Sequence, residues 1–205
     1  LARSGNETNA LSLLTNLVST FPTNEFAPLA QWWVADYYSR QGDAFLVKAE
    51  QSYTLLSQTW PDSELALQAR MMAGRMAMSR PDTLNAIEHF TNLTLNPKCT
   101  GEMRVQALAG YGSALMRRAA EETNRLSLLE DALGVFKQIR QDNPGTEREA
   151  QAWGETGKCY LQMAACDPGY YSNALQAFQT ATQSPVAGIA ARSEARVGLA
   201  QVLEL

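Results

Sequence analysis

The sequence predicts an all-α chain, a right-handed α-solenoid of antiparallel helical hairpins. Three observations predict it. An alanine-based apolar spacing that ends in proline occurs five times. A small residue recurs at a near-constant distance after those prolines. The composition favours Ala, Leu, Gln and Met over Val and Ile, with no sustained period-two alternation, which suits helices and not strands.

The first spacing is an alanine, an apolar residue four on, another seven on, and a proline eleven or twelve on. Ala10, Leu14, Leu17 and Pro22 fit it, as do Ala49, Tyr53, Leu56 and Pro61, and Ala86, Phe90, Leu93 and Pro97. Ala132, Phe136, Ile139 and Pro144 follow, then Ala174, Phe178, Ala181 and Pro185. Positions 0, 4 and 7 share one face of a helix. The alanine lets a neighbouring helix approach, the bulky residue fills the space beside it, and proline stops the helix because it lacks an N–H and clashes with the preceding turn. These are the second, or B, helices of the hairpins.

The second spacing marks the first, or A, helices. Ala35, Gly74, Gly157 and Gly198 each stand thirteen residues after a proline, and Gly112 stands fifteen after Pro97. Glycine inside a helix costs about 1 kcal/mol relative to alanine, so its recurrence marks a close helix crossing. The predicted helices are 7–20 (B), 26–41 (A), 43–60 (B), 64–80 (A), 82–95 (B), 102–120 (A), 124–142 (B), 147–165 (A), 169–183 (B) and 187–204 (A). Gln41-Gly42-Asp43, Arg80-Pro81-Asp82 and Asp167-Pro168-Gly169 read as the turns, with Asp82 and Asp167 as caps or turn formers. Around 119–124 the sequence allows either longer helices or an extended turn. The repeat units fall at about 1–24, 25–63, 64–100, 101–146, 147–186 and 187–205, forming one array.

At these residues the chain resembles the tetratricopeptide repeat family, whose pattern places Trp, Leu, Gly and Tyr on helix A and Ala, Phe, Ala and Pro on helix B. Trp153, Gly157, Tyr160, Ala174, Phe178, Ala181 and Pro185 carry the pattern most fully, with Thr156 where leucine is usual. The segments Phe21-Pro22-Thr23-Asn24-Glu25-Phe26-Ala27 and Trp60-Pro61-Asp62-Ser63-Glu64-Leu65-Ala66 share an aromatic-Pro-x-x-Glu-x-Ala form. They are similar to the links between repeats in bacterial envelope proteins of the outer-membrane assembly lipoprotein and Tol–Pal accessory types. That likeness implies the bacterial periplasm or cell envelope, with the cytoplasm as the alternative. The family has no catalytic motif, so the resemblance implies a protein-binding scaffold and no catalytic residues.

Composition narrows the partners. The chain has 205 residues, 45% apolar and 19% charged, with a net charge of −4. A nucleic-acid binder needs a basic excess to displace counterions, so nucleic acid is not expected. No apolar run reaches the roughly 20 residues that cross a bilayer. Cys99, Cys159 and Cys166 form an odd set with no zinc spacing and are expected as free thiols. The one histidine, His89, is expected to be structural. There is no phosphate loop and no nucleophile elbow. No enzyme activity, metal or cofactor is expected.

In a stack of hairpins the A helices line the inner wall. Counting from the small landmarks, the expected partner-binding groove is Trp32, Asp36 and Arg40; Gln68, Met71, Arg75 and Met78; Gln106, Ser113 and Arg117, with Met116; and Gln151 and Lys158. The glutamines suit a peptide backbone, the cations suit acidic groups or a terminal carboxylate, and the methionines and tryptophan give adaptable apolar contact. The occupant is expected to be a peptide or a partner protein. The alternative role is structural assembly. The first predicted helix lacks an A partner and the last lacks a B partner, so the chain reads as a piece of a longer array. The final helix, with Ile189, Val197, Leu199, Val202 and Leu203, is apolar enough to stack on flanking repeats or to self-associate through residues 186–205.

Overall fold

A computed structural model of the chain describes residues 2–123 and 125–204, with side chains from residue 7 onward. Among the described residues every secondary-structure element is helical. The α-helices are α1 (Ala2–Thr20), α2 (Ala27–Ser39), α3 (Leu46–Thr59), α4 (Ala66–Ser79), α5 (Thr83–Thr94), α6 (Gly101–Glu121), α7 (Arg125–Asp142), α8 (Glu147–Ala164), α9 (Tyr171–Gln183) and α10 (Ile189–Leu203). Short 3-10 turns, Asp43–Phe45 and Pro168–Tyr170, lead into α3 and α9. The predicted helices correspond to these in number and order. Around 119–124, α6 ends at Glu121 and Glu122 is extended, while Asn124, the predicted start of the next helix, lies outside the described residues.

The chain forms two compact units, Leu1–Cys99 and Thr100–Leu205. In the first, α1 packs on α2, α2 on α3, α3 on α4 and α4 on α5. In the second, α6 packs on α7, α7 on α8, α8 on α9 and α9 on α10, with α8 also touching α6 and α10.

The helix crossings follow one device. The small residue of an A helix faces an aromatic ring of the following B helix. A Cβ placed on Gly74 would lie 2.8 Å from the Phe90 ring, one on Gly112 2.6 Å from Phe136, and one on Gly157 2.6 Å from Phe178. Ala35 packs in the same manner with Tyr53 and Leu56, and Ala69 and Ala73 of α4 close that cluster from the other side. The rings of Tyr53, Phe136 and Phe178 are fully buried. So are the B-helix alanines Ala49, Ala86, Ala132 and Ala174 that lead the apolar spacing. Ala10, on α1, is exposed.

The two aromatic-Pro links of the first unit adopt one conformation. The Asn24 N–H donates to the Phe21 carbonyl and the Ala27 N–H to the Asn24 carbonyl, each at 3.0 Å. The Ser63 and Ala66 N–H groups repeat both bonds at 3.0 Å. The side chain of the fourth residue accepts from the backbone two positions on, Asn24 from Phe26 at 2.9 Å and Ser63 from Leu65 at 3.3 Å. This is the Asx or Ser turn that short polar side chains favour. Trp60 also donates its indole N–H to the Pro22 carbonyl at 2.8 Å, tying one link to the next. Asp82 caps α5 by accepting from the Asn85 N–H at 3.3 Å, and Thr146 caps α8. Gly42 turns the chain with φ of +88°, a conformation that costs glycine little.

Candidate partner-binding clefts

Helix α2 has two apolar faces. Ala27, Ala30, Val34 and Ala35 are buried within the first unit. Phe26, just before the helix, and Leu29 and Trp33 within it lie along another side and stay 59%, 45% and 50% exposed. Residues three and four apart share a helix face, so these side chains form one stripe. Beside Trp33, α1 presents Ala10, Leu11 and Leu14, with Glu7 at the edge, and these border a cleft of about 360 Å³. Tyr37, Asp36 and Arg40 complete the α2 side. Asp36 and Arg40 are ion-paired to each other one turn apart.

Two of the sequence-predicted residues, Asp36 and Arg40, therefore line this cleft. Trp32 does not. It packs edge-on against Tyr53, with ring centroids 5.2 Å apart. Trp33 is the tryptophan that lines the cleft. The spacing held the signal: Trp32 is three residues before Ala35 and shares its packed face, whereas Trp33 points away from it. Met71 requires the same correction. It lies three before Gly74 on the packed side and is a core residue, 5% exposed. Met116, four after Gly112, is buried for the same reason. Gln68 and Arg75 are exposed and Met78 is half-buried, all on α4.

In the second unit, Gln106 of α6 and Gln151 of α8 do converge. They border a small cleft of about 70 Å³ together with Arg148, over Phe136 and Ile139. Glu102 accepts from Gln106 at 3.0 Å and is ion-paired with Arg148, whose other nitrogen donates to Gln151 at 2.8 Å. Lys158 donates to Glu155 at 2.7 Å and to Glu194 at 3.1 Å, joining α8 to α10. Burial works to lower the Lys158 pKa, but the two carboxylates outweigh it and raise it, so the ammonium stays charged. Ser113 is half-buried and Arg117 exposed. The expected ligand-seeking Lys158 is thus committed to carboxylates of its own chain.

The buried titratable groups Glu50 and His89 belong to one network. Glu50 of α3 is ion-paired with Arg80 and sits 3.3 Å from Nε2 of His89 on α5. That contact is within hydrogen-bonding distance. Burial, and then the nearby Arg70 guanidinium, push the His89 pKa down and keep the ring neutral. Arg80 also reaches Asp82, the cap of α5, at 3.3 Å. The network joins α3, the α4–α5 turn and α5. Cys159 is buried, its thiol pushed up to about 12 by burial, and Cys99, Cys159 and Cys166 are all free thiols. Among the described residues no three His, Cys, Asp or Glu side chains are grouped to hold a metal ion, and no helix is long and apolar enough to cross a membrane. The sequence matches no protein-family model and no curated protein.

Proposed function

We propose that the chain is a protein-interaction scaffold that works without catalysis, and that each of its units is a short tetratricopeptide-like α-solenoid. Sequential helix pairing, with a small residue set against a ring at each crossing, supports the repeat assignment. One observation carries the binding role: the α1/α2 cleft keeps Trp33 half exposed beside Leu11, Leu14 and Tyr37. A folded chain gains by burying such a side chain, at roughly 25 cal/mol per Å² of apolar surface, and aromatic side chains lead binding energetics at interfaces. The cleft accepts an apolar helical segment, and the Asp36–Arg40 pair and Glu7 give its rim polarity. The polar residues bordering the second unit's cleft are largely satisfied by one another and add little affinity.

A displayed library of random helical peptides, selected against the chain, tests the role. Selected peptides should bind the parent chain and lose at least tenfold in affinity to Trp33→Ala, a cost of about 1.4 kcal/mol. Helical content by circular dichroism should be unchanged. Peptides that bind the variant as well as the parent would place recognition elsewhere.

A further inference from the structure

We propose that the occupant of the α1/α2 cleft is helix α10 of a second copy of this chain, in a head-to-tail contact. The proposal rests on the cleft being a docking site. Three features of α10 match it.

The first is shape. Several helix crossings inside the molecule, α2 on α3, α4 on α5, α6 on α7, α8 on α9 and α9 on α10, set a small residue of one helix against an aromatic ring of another. Unused parts of both kinds are exposed at the surface. On and just before α2, Trp33 and Phe26 are rings with half or more of their surface exposed. On α10, Ser193 and Ala200 are small residues on an exposed side, flanked by Ile189, Val197 and Leu203, which are 88%, 59% and 73% exposed. The opposite side of α10 is spent within its own unit, where Ala195, Leu199 and Val202 pack with Phe178.

The second is length. From Ile189 to Leu203 the stripe runs about 21 Å at 1.5 Å per residue. From Phe26 to Arg40 the α2 face also runs about 21 Å by the same rise.

The third is charge. Exposed Arg196 borders the α10 stripe, and exposed Glu7 borders the cleft. A basic residue beside an apolar stripe suits an acidic edge beside an apolar cleft.

The two surfaces are different patches, so the contact is heterologous. Two copies can dock reciprocally, each α10 in the other's cleft, or a copy can add to a free cleft at the end of a chain of copies.

Sedimentation velocity over about 1 µM to about 1 mM, the range of Kd for a modest interface, tests this directly. The parent chain should associate as concentration rises, to a closed dimer or to longer assemblies. Trp33→Asp removes the cleft and Val197→Asp removes the stripe; both replace exposed side chains, and each variant alone should stay a monomer. Mixed, they should form a dimer of twice the 22.5 kDa chain mass and stop there, because each retains one working surface. Trp33→Gln and Ala200→Arg make a second pair should either variant lose helical content. A parent that stays monomeric throughout, variants that associate as the parent does, or a mixture that stays monomeric would each overturn the proposal. If the parent stays monomeric while library peptides still lose affinity to Trp33→Ala, self-docking falls and the binding role of the cleft stands.

Discussion

Gly112 has no room for a methyl group. A Cβ there would lie 2.6 Å from the Phe136 ring, which is fully buried and held by its own helix. Overpacking of this kind costs about 1–3 kcal/mol, against roughly 1 kcal/mol returned by the better helix propensity of alanine. Gly112→Ala should therefore lower the unfolding free energy by about 1 kcal/mol, read from the urea midpoint at constant slope. Gly134 is the control, since nothing lies within 4 Å of a Cβ placed on it in α7. Gly134→Ala should stabilise by up to about 1 kcal/mol. A shared sign for the two substitutions would refute the close-crossing account of Gly112. The same landmarks show why part of the site was legible. At 100° per residue, positions six before, one after and five after a small landmark lie about 100–140° from the crossing. Gln68, Arg75, Arg40 and Arg117 occupy such positions and are exposed. Positions three before and four after lie only about 40–60° away, so Trp32, Met71, Met78 and Met116 turn partly or wholly inward. Choosing residues one turn from the landmark selected its packed face.

At the scale of elements, helix identity was readable because each segment carries both its period and its stop. Proline ends α1, α3, α5, α7 and α9 within a few residues. The start of α3 was less readable. Asp43-Ala44-Phe45 winds first as a 3-10 turn, and a single turn of i→i+3 bonds leaves no periodicity to detect. The links carry their own information. Asn24 and Ser63 hold equivalent turns through short side-chain oxygens, and the aromatic residue of the second link reaches back to the first. That tie is a backbone-accepting indole bond across 38 residues of sequence, a partner that composition cannot reveal. Trp60→Phe keeps most of the ring and removes the donor. It should cost about 0.5–1.5 kcal/mol and speed amide exchange in the 22–27 link while α4 keeps its protection. Unchanged exchange in that link would mean the bond does not order it.

For the whole molecule, the sequence carried the order of helices but not the ion pairs that join them. Lys158 stands one residue after Gly157, on the expected open side, and only the placement of α10 brings Glu194 to it. The boundary between the two units at Cys99 and Thr100 coincides with a predicted repeat boundary, where the proline-to-glycine step lengthens from thirteen to fifteen residues, but the spacing alone did not distinguish it from the other repeat boundaries. Each unit has its own cluster: Tyr53 with Ala35, Leu56 and Ala73 in one, Phe178 with Ala174, Ala181 and Ala195 in the other. In a chain whose helices mostly contact their sequence neighbours, stability is a sum of local terms and openings are local. Phe178→Leu leaves a gap where the ring met Gly157, at a cost on the order of 1 kcal/mol. Native-state hydrogen exchange should then show lower protection in α8, α9 and α10, with α3 and α4 unchanged. Equal loss of protection in α3 would mean that the two cores open as one block, and the local account of stability would fail.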